Sequence, residues 1–238
     1  MKSAAKLSAS PIILALDTKD LDTAKGWIEA TNTSVKIYKV GLEFFLKFGR
    51  IGLLELRDCG EFELFLDLKL HDIPNTVAGA VKGVADLAPK FLTVHASGGS
   101  EMIAAASQVD PDISITAVTI LTSLSDSELV KIGYRGGALE SALDLAKLAI
   151  DSGAKSIVCS PFEASEIRSA VGKEISIITP GVRPEGSKLG DQKRVMTPAQ
   201  AIATGANYLV IGRPITDLSK VSLDAMREGA AKILSSIN

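Results

Sequence analysis

The chain has 238 residues, 46% of them hydrophobic and 23% charged, with a net charge of -2. That is ample for one sizeable core. No basic tract marks a nucleic-acid binder, so an anionic ligand would have to be held by a local site and not by global charge.

From the N-terminus, "MKSAAKLSASPIILALD" has an apolar run that Asp17 ends after about six residues, short for the hydrophobic region of a signal peptide. No stretch is long enough to span a bilayer. Short β-branched runs then alternate with amphipathic segments to the end of the chain. The predicted strands are 11–17, 35–41, 63–69, 91–97, 114–121, 156–160, 176–182 and 208–214. Helical patterns such as "LDTAKGWIEA", "TVAGAVKGVADLA", "ALDLAKLAI", "EASEIRSAVG" and "SLDAMREGAAKIL" lie between them. No linker or composition shift interrupts the series, so one domain over residues 1–238 is expected. Eight strand–helix units predict an α/β fold, the (β/α)8 TIM barrel, which typically takes about 250 residues. A doubly wound open sheet is the alternative, but its first strand–turn, "LALDTKD", lacks GxGxxG.

Successive side chains of a strand face opposite sides. In "ELFLDLKL" the leucines Leu64, Leu66, Leu68 and Leu70 form one row, which must meet the helices. Phe65, Asp67 and Lys69 then face the barrel interior, the two charges at the end where barrel enzymes place their chemistry. The rows Ile13, Ala15, Asp17 and Val35, Ile37, Lys39 also end in charges, and strand 8 ends in Gly212 and Arg213. Each charge has a plainer reading. Asp17 could cap a loop, Lys39 could reach solvent along its stem, and Asp72 could cap the helix that starts near Pro74. The Asp67–Lys69 pair is harder to dismiss, because buried charges are costly unless paired. His71 and His95 read as structural or supporting, and Cys159 as core. Two cysteines without CxxC spacing and two histidines make a structural zinc site a poor fit. The distant thiols Cys59 and Cys159 suit a reducing cytoplasm.

The segment "FLDLKLHDIPNTV" resembles the Asp-x-Lys-x-x-Asp signature of the orotidine 5'-phosphate decarboxylase family. "LALD", "KVG", "VHASGG", "VTILTS", "VCS", "TPGVRP", "GDQKRVMTP" and "VIGRPIT" resemble it as well, in family order and over nearly the whole chain. The likeness is to the bacterial branch. It implies decarboxylation of orotidine 5'-monophosphate to uridine 5'-monophosphate, the last step of de novo pyrimidine synthesis, with no metal or cofactor, in a cytoplasmic homodimer. By resemblance Lys69 is the proton donor to C6 and Asp67 the carboxylate beside the departing CO2. Lys39 and Asp72 complete an alternating array, with Asp72 donated across the dimer interface and Ile73 and Thr76 beside it. Asp17 corresponds to the ribose-hydroxyl ligand and Thr122 to a pyrimidine contact. Arg183 and Gln192 match ligands on a closing loop, and Gly212 and Arg213 the phosphate site.

The chemistry asks for such residues. Loss of CO2 from C6 leaves an electron pair in the ring plane, so the protein must stabilise it electrostatically. A compact ammonium such as Lys69 suits that task. Binding energy must come from elsewhere on the substrate, and a distant phosphate can supply it. The long connection from Gly181 to Thr197 reads as a lid. Two rivals stand beside this reading. One is a Mg-dependent sugar-phosphate lyase or aldolase of the same barrel superfamily, in which a ligating Glu is typical where Lys39 stands. The other is a non-catalytic nucleotide-binding protein, which would not need Lys69 flanked by carboxylates.

Overall fold

A computed structural model of the chain describes residues 10–184 and 196–237. Eight parallel strands close into a barrel in sequence order: β1 (Ile12–Ala15), β2 (Ile37–Gly41), β3 (Glu63–Leu70), β4 (Pro89–His95), β5 (Ser114–Val118), β6 (Ser156–Val158), β7 (Ser176–Thr179) and β8 (Tyr208–Ile211). Closure joins β1 to β8 through Ile13↔Val210 and leaves no exposed sheet edge. The fold is the expected (β/α)8 TIM barrel, and each predicted strand forms. The intervening segments are helical, among them α1 (Leu21–Thr31), α2 (Leu42–Arg57) and α3 (Pro74–Val84).

The predicted alternation sorts the core into two layers. Inside the barrel Ile13, Ile37, Phe65, Phe91 and Ile178 pack together, with Val158, Tyr208 and Val210 against them. Phe65 and Phe91 meet edge to face at 5.7 Å, and Phe91 meets Tyr208 at 5.4 Å. These rings fill the interior below the charged mouth, so the barrel is a packed plug and not a pore. On the other side Leu64 and Leu66 join the helix-facing core, and Leu68 and Leu70 pack against it. Val35, expected in an inward row, precedes β2 and packs with that outer core instead. The Tyr38 hydroxyl, on the helix side of β2, bonds Thr31 Oγ1 at 2.9 Å and donates to the Ile28 carbonyl at 3.2 Å, which ties α1 to the barrel.

Several predicted strands end a few residues early. Asp17 lies in the loop past β1, and Arg213 opens a short helix, Arg213–Thr216, directly after β8. Among the described residues no helix is long and apolar enough to cross a membrane.

Candidate active site

β3 is the longest strand and carries the site. Its pairing with β4 runs Leu66↔Leu92 and then resumes at Leu70↔Val94. Three residues of β3, Asp67, Leu68 and Lys69, therefore face the single residue Thr93. Such a bulge re-aims side chains and is common beside active sites. Within it Lys69 takes φ +50°, the left-handed region. For a non-glycine residue that costs about 1–2 kcal/mol, and it persists only where surrounding contacts over-determine it. Here the Lys69 N–H donates to Thr93 Oγ1 at 2.8 Å, and Lys69 Nζ donates to Asp67 Oδ1 at 2.7 Å.

Four charges, from the loop after β1 and from β2 and β3, form a chain at the mouth. Asp17 Oδ1 lies 3.2 Å from Lys39 Nζ, Lys39 Nζ 3.4 Å from Asp67 Oδ2, and Asp67 Oδ1 2.7 Å from Lys69 Nζ. Lys39 and Asp67 are buried; the Lys69 side chain is about a third open to the cavity, and Asp17 is exposed. Burial pushes the Lys39 pKa down, but the Asp17 and Asp67 carboxylates outweigh it and the net direction is up. Burial would raise Asp67; Lys39, Lys69 and the Thr93 hydroxyl outweigh it and hold the carboxyl below its ordinary value. The plainer readings of Asp17 and Lys39 thus give way to a shared network.

Above this chain a cavity of about 210 Å³ is lined on one side by Lys39, Asp67 and Lys69 and on the other by Val118, Ile120, Val158, Pro180 and Val210. It has a charged wall facing an apolar one, a shape suited to a planar ring with one reactive edge. Thr122 lines this cavity and also a neighbouring one of about 320 Å³ beside Ser160 and Pro180. Gly212 sits next to Asp17: a Cβ on it would lie 3.9 Å from Asp17 Oδ2. Arg213 is exposed at the start of the helix after β8. Arg183 is buried, and its N–H donates to the Met196 carbonyl at 3.1 Å beside a Val182–Met196 bridge. That bridge brings the two ends of the predicted lid together; Gln192 lies outside the described residues.

Asp72 stands apart from the chain of charges. It is exposed, and its Oδ1 accepts the Ile73 N–H at 2.7 Å. It does not cap α3, whose N-cap is Ile73, with Pro74 in the first turn. Ile73 is 66% exposed, and Thr76 is exposed on the first turn of α3. The fourth member of the array within one chain is therefore Asp17, not Asp72. His71 and His95 lie ring to ring at 5.5 Å beyond Thr93, and burial, His71 and Lys69 together push His95 down. Cys159 is core, as expected, and burial raises its thiol, yet it also touches the cavity.

Sequence reasoning missed Thr93. The inward row Phe91, Thr93, His95 of β4 carries the signal, since it places a hydroxyl inside the barrel beside two charges. The apolar wall from β5 to β8 was also missed, because such residues read as ordinary core.

A divalent cation fits this donor set poorly. Lys39 Nζ already occupies the position between Asp17 and Asp67 where a bridging metal would sit, and its charge would repel one. Among the described residues no group of three or more His, Cys, Asp or Glu side chains is placed to share an ion.

Residues 10–225 match the model of the orotidine 5'-phosphate decarboxylase / HUMPS family. The chain belongs to that family. An orotidine 5'-phosphate decarboxylase of Thermobifida fusca is 52% identical over 208 residues, 87% of this chain and 89% of its own. A crystal structure of orotidine 5'-phosphate decarboxylase from Lactobacillus acidophilus superposes with a TM-score of 0.80 at 34% identity, over 94% of this chain and 99% of that one. An uncharacterized conserved protein from Geobacillus kaustophilus gives 0.81 at 31% identity, over 96% and 100%.

For this family member the charge chain carries a pH signature. Asp67 titrates lower folded than unfolded, so its stabilisation is present above the ordinary carboxylate range and is lost as pH falls through the depressed folded value. Lys39 titrates higher folded, so its contribution is complete below its unfolded pKa and is lost as pH rises through the raised value. From these two groups the melting temperature should fall below about pH 4 and above about pH 10; the depressed His95 and the raised Cys159 thiol move the onset of the losses inward, toward about pH 6.5 and about pH 9. In Asp67→Asn the acid limb should be shallower than in wild type, read by thermal unfolding across pH. Superimposable acid limbs would remove Asp67 from this account.

Proposed function

We propose that this chain decarboxylates orotidine 5'-monophosphate to uridine 5'-monophosphate and CO2, the last step of de novo pyrimidine synthesis, without metal or cofactor. Family membership supports the reaction. The single observation that carries the mechanism is the alternating chain Asp17–Lys39–Asp67–Lys69 along one wall of the cavity. The pyrimidine lies against the apolar wall near Thr122, with C6 toward Lys69. As CO2 leaves, the Lys69 ammonium stabilises the developing carbanion and then transfers its proton to C6. Asp67 orients Lys69 through the 2.7 Å contact and faces the departing carboxylate. Lys39, itself paired with Asp17, holds Asp67, and Lys39 and Asp17 reach the ribose hydroxyls.

The substrate phosphate is assigned to Gly212 and Arg213, and the lid residues Arg183 and Gln192 close over it. Asp72, with Ile73 and Thr76, serves the site of a second subunit in a homodimer. The free thiols Cys59 and Cys159 agree with a cytoplasmic setting.

An absorbance assay of orotidine monophosphate consumption, run with and without EDTA, tests this. Metal-independent loss of substrate is expected. Activity abolished by EDTA would favour the Mg-dependent lyase of the same superfamily, and no consumption would favour a binding protein. Arg213→Ala sharpens the phosphate assignment. It should lower kcat/KM for the nucleotide by about 10- to 100-fold, the scale of a charge-assisted pair, and leave the phosphate-free nucleoside nearly unaffected. An equal fall for both substrates would move Arg213 away from the phosphate.

A further inference from the structure

We propose that Thr93 is a positioning residue for the decarboxylation, one that fixes both Asp67 and the backbone of Lys69 through a single hydroxyl. The inference rests on the function proposed above, but the geometry behind it does not. Thr93 is fully buried. Its Oγ1 accepts the Lys69 N–H at 2.8 Å and donates to Asp67 Oδ1 at 3.0 Å. One hydroxyl has one donor and two lone pairs, so both bonds form at once. Lys69 Nζ closes the loop on the same Asp67 oxygen at 2.7 Å. The ring runs from the Lys69 backbone through Thr93 and Asp67 back to the Lys69 side chain.

The bulge explains why a side chain is needed there. Between Leu66↔Leu92 and Leu70↔Val94 three β3 residues face one β4 residue, so the ordinary ladder is interrupted. The Lys69 N–H turns to the Thr93 hydroxyl instead. That bond also anchors the left-handed Lys69 backbone, φ +50°. Without the hydroxyl, the Lys69 backbone can relax toward the common extended region and carry Nζ off Asp67. Asp67 would keep its ion pairs to Lys39 and Lys69 but lose the bond that fixes its rotation.

Thr93→Val keeps the shape and removes the hydroxyl; Thr93→Ser keeps the hydroxyl. In Thr93→Val, kcat for orotidine monophosphate should fall about 100-fold, the scale of a reacting group displaced by about 1 Å, while KM changes less than about threefold. Thr93→Ser should recover most of kcat. Binding of uridine monophosphate by Thr93→Val shows that the fold and pocket persist. Should Thr93→Val not fold, the difference between Thr93→Ser and Thr93→Ala reads the same hydroxyl. A crystal structure of the variant gives a readout independent of the reaction: Lys69 φ and the Lys69 Nζ–Asp67 distance should both change. Wild-type kcat in Thr93→Val, equal losses in Ser and Val, or an unmoved Lys69 would each overturn the proposal. A wild-type protein that leaves orotidine monophosphate intact would instead overturn the assigned reaction, and the crystallographic comparison would still decide the role of Thr93.

Discussion

Lys69→Ala should lose about 4 kcal/mol or more of transition-state stabilisation, on the order of a thousandfold in kcat, out of the roughly 8–23 kcal/mol that enzymes supply. In the proposed mechanism the ammonium meets the charge at C6; it sits near the end of β3, 2.7 Å from Asp67. Its removal takes away both the stabilising charge and the proton. The fold should survive, since alanine meets the same left-handed backbone as lysine and keeps the N–H bond to Thr93. Binding of uridine monophosphate should persist in part, because the apolar wall and the residues proposed to hold the phosphate are untouched. Steady-state kinetics beside a product-binding titration would check this. If kcat stays within about tenfold of wild type, Lys69 is not the acid.

Mixing Asp72→Ala with Lys69→Ala should restore activity that neither variant has alone. Asp72 lies outside the charge chain of its own mouth, exposed, with its carboxylate on the Ile73 N–H. The residue before a proline is pushed toward extended backbone, and Ile73, at φ -60° and ψ 153°, obeys this at the entry to α3. In the proposed homodimer each patch is used twice, so a hybrid would contain one site with Lys69 intact and a partner's Asp72 intact. Activity should return to about half of wild type per hybrid. Tagged subunits, exchanged and purified as hybrids, would be assayed. Hybrids that form but stay inactive would place Asp72 within its own chain or in a purely structural role.

Much of this was readable from the residues. The leucine row of β3 fixed which way Asp67 and Lys69 had to point, because a period of two leaves no choice once one face is apolar. The strand ends in Lys39 and Lys69 announced the mouth for the same reason. What could not be read was the bulge. A two-residue excess of β3 over β4 depends on the pairing of distant segments, and nothing local to "DLKLHD" encodes it. Lys69 was expected inside by alternation and is there, but held by a left-handed turn and a threonine from the next strand. Nor could periodicity say that Asp17, past the end of β1, would reach Lys39 while Asp72, closer to Lys69 in sequence, would not. That depended on where two loops leave the barrel.

The backbone at Lys69 has a bearing on attempts to improve this protein. Glycine is the residue that a φ of +50° favours, so a glycine there would relieve that strain while giving up the 2.7 Å pair to Asp67, which keeps Lys39 as its partner; the melting temperature rises where the relief is the larger of the two. A library screened for heat resistance alone would be drawn toward it at position 69, and its best survivors would be well-folded barrels that had shed the side chain they were built to present. On the proposed mechanism robustness and turnover pull in opposite directions at that one codon, and a screen that reads both is needed to keep lysine there.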